Sequence, residues 1–128
     1  MPNLTEQEIC TPFIGKSVHT EHLTRCARIN RRIANGDAHD EYIVYSCLFL
    51  YDQQLRERFG VTDKLKDLWE RRGTEFNVYL YLKDGIISSC HILKYRESGG
   101  ARPSMTTPKC TQQELRIARR ILAYLVEG

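Results

Sequence analysis

The chain has 128 residues, of which 41% are hydrophobic and 27% charged, and its formal net charge is +3. This length suits one domain with one core and excludes two full domains, so we expect residues 1–128 to form a single unit. The most apolar stretch, 43–51, is about half as long as a membrane helix requires, so no membrane span is expected.

Targeting and redox signals in the sequence agree with a single domain that has no membrane span. The start of the chain lacks the basic and apolar regions of a secretory signal. Five cysteines lie along the chain without a CxxC pair, which predicts reduced thiols. We therefore expect a cytoplasmic or nuclear protein that is not secreted.

The first third of the chain predicts an arm followed by a basic helix. Residues 1–16 are expected to form an N-terminal arm, because Pro12 interrupts the short helical turn that could begin before it. Apolar side chains then recur at helical spacing, at Leu23, Cys26, Ile29 and Ile33. Together with a left-handed stop at 35–36, this spacing predicts a helix over 19–34.

The middle of the chain predicts one strand and two short helices. The segment 41–51 fits a helix or a strand by spacing, and its β-branched and aromatic residues favour a buried strand over 42–51. Asp52 is predicted to cap the first short helix and Thr62 the second. A glycine ends each of these helices.

The last third predicts a hairpin, a loop and a helix. Apolar and polar residues alternate over 75–82, and the turn signal at 83–85 leads into a second strand over 86–95. Residues 96–110 are rich in Ser, Gly, Pro and Thr and are expected to form a mobile loop. Helical spacing returns over about 111–126.

These elements predict an α+β fold in the order α–β–α–α–β–β–α. Segments 42–51, 75–82 and 86–95 are expected to form a three-stranded antiparallel sheet. The N-terminal and C-terminal helices are expected to pack on it.

Arginine clusters in the two predicted terminal helices suggest a nucleic-acid surface. Residues 1–36 and 74–128 carry net charges of +2 and +3, around a middle of −2. Guanidinium groups bind phosphate oxygens in pairs, so these clusters would suit an RNA or DNA backbone. The candidate residues are Arg25, Arg28, Arg31, Arg32, Lys109, Arg116, Arg119 and Arg120. We interpret the chain as a small non-enzymatic regulator that binds nucleic acid; a solvated helix face is the alternative reading.

Residues 55–62, followed by Leu65, Leu68 and Trp69, resemble the turn of bacterial winged-helix repressors. The resemblance covers about twenty residues and implies a second helix that enters the major groove. Arg56 departs from the pattern, which usually has Ala there, and acidic residues in the second helix would repel phosphates. Two short helices that pack on the core are the favoured interpretation.

Zinc binding is a weaker alternative. Cys10, His19, His22 and Cys26 are ligand types that suit tetrahedral zinc. The segment 22–26 resembles the last half of some RNA-binding CHHC fingers, although the first half of that pattern is not matched. A buried Cys26 and two exposed histidines at a helix start are the competing interpretation, and no other cofactor is expected.

No enzyme motif occurs in the sequence. The phosphate-binding loop, GxSxG, HExxH and GxGxxG patterns are absent. Cys90 and His91 are neighbours on a predicted strand, so their side chains would lie on opposite faces. We therefore do not expect catalysis.

The second functional hypothesis is a protein-binding adaptor or inhibitor. Tyr79, Tyr81 and Tyr95 are predicted on the hairpin, and tyrosine is a residue that anchors interfaces. An exposed sheet edge could pair with a partner protein or with a second copy, which would make a homodimer.

Overall fold

A computed structural model describes residues 4–23, 28–32, 41–47, 50–97, 105–106 and 109–127. In these ranges it contains an antiparallel sheet flanked by helices, so the predicted α+β class is confirmed. No helix in these ranges has the length and apolar content needed to cross a membrane.

Within the described residues the sheet has five strands, in the spatial order β1-β2-β3-β4-β5, and every neighbouring pair is antiparallel. They are β1 (Arg28–Arg32), β2 (Glu41–Ser46), β3 (Thr74–Lys83), β4 (Ile86–Glu97) and β5 (Met105–Thr106). The three predicted strands correspond to β2, β3 and β4, and the structure adds β1 and β5 beside them.

The β3–β4 hairpin forms as its turn sequence predicts. Asp84 and Gly85 both have positive φ, 53° and 79°, as a tight two-residue turn requires. Leu80 is paired with Ile43 on one side and with Cys90 on the other, so the centre of β3 lies in the middle of the sheet. The ambiguous segment 41–51 is a strand in its first half, over Glu41–Ser46.

The predicted helix over 19–34 is wrong. The chain instead forms a short 3₁₀ turn, Thr20–Leu23, and then the strand β1. In β1, Ile29 is paired with Val44 and Asn30 with Ile43. Pairing with β2 provides backbone hydrogen bonds, and such tertiary pairing overrides a weak local preference for helix.

The described part of the chain also forms four α-helices: α1 (Glu6–Cys10), α2 (Gln53–Phe59), α3 (Asp63–Arg71) and α4 (Gln112–Val126). The predicted caps are confirmed, because Asp52 accepts from two backbone N–H groups of α2 and Thr62 from one of α3. Thr111 and Glu114 form a reciprocal capping box that starts α4.

The core lies between the helices and one face of the sheet. The sheet contributes Ile43, Tyr45, Phe76, Val78, Leu80, Leu82, Ile87 and Ile92, and α4 contributes Leu115, Ile117, Ala118, Ile121, Leu122 and Leu125. The region expected to be an arm also takes part, since Ile9, Cys10 and Phe13 are buried. Residues 98–104 of the predicted loop lie outside the described ranges, while Glu97 belongs to β4 and Met105 to β5.

Candidate functional site

Exposed basic side chains gather on one side of α4. Arg116, Arg119 and Arg120 are exposed between the buried positions of the helix. Arg58 of α2 and Lys16 line the same groove as Arg120. We call these five residues the arginine face.

The groove in this face has a volume of about 500 Å³. Arg58 stacks over the Tyr124 ring at 4.7 Å and forms an ion pair with Glu127. Arg120 donates from Nη1 to the Phe59 carbonyl at 3.3 Å. Gly60 permits this approach, because a Cβ there would collide with the Arg120 guanidinium.

The groove therefore has an excess of positive charge. Lys16, Arg58 and Arg120 line it together with one carboxylate, that of Glu127. Arg116 lies one turn before Arg120, and Arg119 lies one turn before Ala123, which also lines the groove. Such a cluster attracts anions. Arg58 and Arg120 are already held by contacts within the protein, so their side chains lose little conformational freedom when an anion binds.

The other predicted arginines belong to a different element. Arg28, Arg31 and Arg32 lie in β1, in register with Tyr45, Tyr42 and Glu41. Because β1 is a strand, these positions lack the helical spacing that would gather them on one side of a helix. The expected single helical stripe is thus wrong, and Arg25 lies outside the described residues.

Lys109 is exposed and precedes the first residue of α4. Helix α4 is about 22 Å long by its residue count, so Lys109 lies near the opposite end from Glu127. It is closer along the chain to Arg116 than to the groove residues at the helix end. Among the predicted basic residues, the structure thus groups Arg116, Arg119 and Arg120.

The three predicted tyrosines share one face of the sheet, opposite the face that packs against the core. Tyr79, Tyr81 and Tyr95 are each partly buried there. Burial, and after it a hydrogen bond with Tyr95, raises the pKa of Tyr79 above its ordinary value of 10.0. Sequence reasoning missed Tyr42 and His91, which extend this tyrosine face.

Tyr42 stacks on Tyr81 with ring centroids 5.7 Å apart, and Tyr81 meets the edge of His91 at 5.9 Å. His91 remains half exposed and contacts Glu6 of α1 at 3.1 Å. Cross-strand alignment explains the row, since Tyr42 is opposite Tyr81 in the register. The period-2 pattern of β2 and β4 was the signal that could have found it.

A buried polar cluster was also missed. Glu114 accepts from Lys94 Nζ at 2.7 Å, from Trp69 Nε1 at 2.7 Å and from the Thr111 backbone at 2.8 Å. Burial by itself raises the pKa of the Glu114 carboxyl, but these hydrogen bonds together outweigh it, so the net pKa is lowered. The two-residue alternation of β4 was the signal that could have found it. Lys94 lies on the same inward face of the strand as Cys90 and Ile92, and a buried charge there requires a partner.

The residues of the zinc hypothesis have other neighbours in the described chain. Cys10 Sγ lies 2.7 Å from Cys90 Sγ in the core. His19 N–H donates to the Leu125 carbonyl, and His22 Nε2 lies 3.0 Å from the Glu127 carbonyl oxygen. Cys26 lies outside the described ranges, within which no three His, Cys, Asp or Glu side chains cluster as metal ligands.

Comparisons with protein-family models, with curated proteins and with solved structures find no match to this chain. Functional inference therefore depends on the geometry of the arginine face and the tyrosine face.

Proposed function

We propose that this protein is a small non-enzymatic regulator that binds the backbone of RNA or DNA through the arginine face. The observation that carries the proposal is that Lys16, Arg58 and Arg120 line one groove, while Arg116 and Arg119 are exposed on α4 close to Arg120 in the sequence. Phosphate contacts are independent of base sequence, so this surface would bind nucleic acid with strong salt dependence and little sequence preference.

The first test is charge reversal on α4. In the variant Arg116→Glu/Arg119→Glu, both changes lie at exposed helical positions, so the fold should persist, as circular dichroism can check. Binding to a labelled oligonucleotide, measured by fluorescence anisotropy at low salt, should weaken by at least tenfold. The dependence of log K on log salt should become less steep by about 1.5, because each phosphate contact contributes about 0.7–0.9.

The matched control is Lys64→Glu/Arg71→Glu on α3. It makes the same change in net charge at two exposed positions outside the groove. We expect it to reduce binding much less than the α4 variant. Equal losses in both variants would show a general charge effect, and unchanged binding of the α4 variant would contradict the proposal.

The β1 arginines form a separate arm of the same experiment. The variant Arg28→Glu/Arg32→Glu changes the first and last residues of β1. A loss of affinity comparable to that of the α4 variant would extend the interface to the sheet edge. Unchanged affinity would restrict it to α4 and its neighbours.

The tyrosine face supports a second candidate function, a protein interface. The stacked row of Tyr42, Tyr81 and His91 offers partly exposed aromatic surface, and β1 is terminal in the described strand order. If this face joins two copies, Tyr42→Ala/Tyr81→Ala should abolish a dimer seen by sedimentation at high concentration. Tyr51→Ala, which removes an exposed tyrosine outside the sheet, is the control.

A further inference from the structure

A second pocket lies at the other end of α4, where the helix begins. The described residues enclose about 180 Å³ between α3, the end of the β3–β4 hairpin and the start of α4. Leu65, Leu68 and Trp69 of α3 form an apolar wall. The opposite wall is polar, and its charge and hydrogen-bonding groups indicate the chemical class of the ligand.

Positive charge dominates the polar wall. Lys94 is only 6% exposed and Glu114 only 2%, and their 2.7 Å ion pair neutralises both charges. Arg72 and Arg96 also line the pocket, and the exposed Arg72 gives its polar wall an excess of positive charge over this neutralised pair. In a partly buried site such an excess favours an anion more strongly than it would at the surface.

A buried hydroxyl lacks a partner in the same place. Thr74 lines the pocket and is 5% exposed, and its Oγ1 makes no hydrogen bond within the described residues. Thr74 is directly opposite Arg96 in the β3–β4 register. An unpaired buried hydroxyl is costly, so its presence beside two arginines points to a ligand oxygen as its missing partner.

The start of α4 adds to this field. Thr111 and Gln113 line the pocket, and the helix continues for 15 residues from Gln112. The N-terminus of a helix carries partial positive charge from its backbone N–H groups. The partial charge of the helix N-terminus adds to the positive potential of the arginines, which remain the main source of that potential.

We propose that this pocket binds a phosphate monoester. Arg72 and Arg96 donate to the phosphate oxygens, the Thr74 hydroxyl donates to one of them, and the apolar wall contacts the organic group that the phosphate carries. Guanidinium groups suit the oxygens of a phosphate dianion, because their N–H groups can donate to two of them at once. The site does not depend on the arginine face, so failure of either proposal leaves the other intact.

Phenyl phosphate is the probe, because it joins a phosphate monoester to a flat apolar group. Trp69 is the only tryptophan of the chain and lines the pocket, so its fluorescence reports binding directly. We expect saturable binding that weakens at least tenfold in Arg72→Gln and in Thr74→Val. Arg71→Gln, which changes an exposed arginine that does not line the pocket, should bind as the unmodified protein does.

Two comparisons identify the chemistry and its source. Affinity should rise as the pH passes about 6, where a phosphate monoester becomes a dianion, whereas phenyl sulfate should show no such rise. Tighter binding of a 5′-phosphorylated oligonucleotide than of its 5′-hydroxyl form, lost in Thr74→Val, would identify a strand end as the source. Equal binding of the two oligonucleotides, with phenyl phosphate bound as expected, would identify a small free molecule.

Absence of a saturable fluorescence change with phenyl phosphate would overturn the proposal. Unchanged affinity in both Arg72→Gln and Thr74→Val would overturn it as well. Circular dichroism of each variant separates a loss of binding from a loss of fold.

Discussion

Glu114 has a hydrogen-bond donor for each of its carboxylate oxygens. Oε1 receives Lys94 Nζ and the Thr111 N–H, and Oε2 receives Trp69 Nε1. A buried ion pair is tolerated when its partners satisfy one another, but removal of one partner leaves the other charge stranded. The cluster also joins α3, α4 and β4 through three side chains.

Glu114→Gln should therefore destabilise the protein by about 3 kcal/mol or more, because it leaves the Lys94 ammonium buried and unpaired. Glu70→Gln removes an exposed partner of Lys66 and should cost about 1 kcal/mol or less. Urea unfolding of both variants measures the difference. Similar decreases in the free energy of unfolding of the two variants would contradict the burial of the Lys94–Glu114 ion pair.

The lowered pKa of Glu114 also predicts a pH dependence. In the unfolded chain this carboxyl titrates near its ordinary value of 4.5, whereas in the folded protein it takes up its proton only at lower pH. The unfolded state therefore binds the proton first, and the stabilising contribution of Glu114 is lost as the pH falls from about 4.5 through the lower pKa of the folded protein. We expect the stability gap between the unmodified protein and Glu114→Gln to narrow over that range in urea titrations at each pH.

At the scale of elements, α1 is held on β4 through the thiols of Cys10 and Cys90. The hydrogen bond with Cys10, and after it burial, raises the pKa of the Cys90 thiol well above its ordinary value. Burial raises the pKa of the partly exposed Cys110 to about 11. Since the thiolate is the reactive form, the docked helix protects Cys10 and Cys90 from thiol reagents.

We expect Cys110 to be labelled before Cys10 and Cys90 at about pH 8, near the ordinary pKa of a thiol. Ile9→Ala removes a buried side chain of α1 and should speed the labelling of Cys10 and Cys90. Gln7→Ala, at an exposed position of α1, should leave those rates unchanged. Peptide mapping by mass spectrometry gives each rate, and protection that survives Ile9→Ala would show that α1 is not the cover.

Elements whose local signals agree with their neighbours were predictable from sequence. The hairpin turn at 84–85 and the caps Asp52 and Thr62 each specify local geometry, and all three form as expected. The strand β1 was not predictable in this way, because its apolar spacing fits a helix until β2 is present to pair with it. The same limit applies to the candidate surfaces: the Arg116 cluster follows from one helix, whereas the Tyr42–Tyr81 stack requires the register.

At the scale of the whole molecule, the sheet separates two chemically different surfaces. The helical side carries the arginine face around Arg120, and the other side carries the tyrosine face around Tyr81. A modest net charge of +3 conceals this division. One protein of this size thus presents a basic surface and an aromatic surface at separate places.

Strand order predicts how stability is distributed across the sheet. Val78 and Leu80 lie in β3 with paired strands on both sides, whereas β1 has one paired neighbour in the described sheet. In native-state hydrogen exchange, the amides of Val78 and Leu80 should exchange through global unfolding, and those of 28–32 faster, through local opening. Equal protection of β1 and β3 would contradict this order.

Hydrogen bonds join the first described residues of the chain to the last helix, α4. The Leu4 N–H donates to Gln112 Oε1 at 2.7 Å, Gln112 Nε2 donates back to the Leu4 carbonyl at 3.0 Å, and the His19 N–H donates to the Leu125 carbonyl at 2.8 Å. During synthesis, the first segments leave the ribosome long before α4 exists. Ile9 and Phe13 must therefore remain without their final cover until α4 has emerged, so the native core can close only after residues 112–126 have been made.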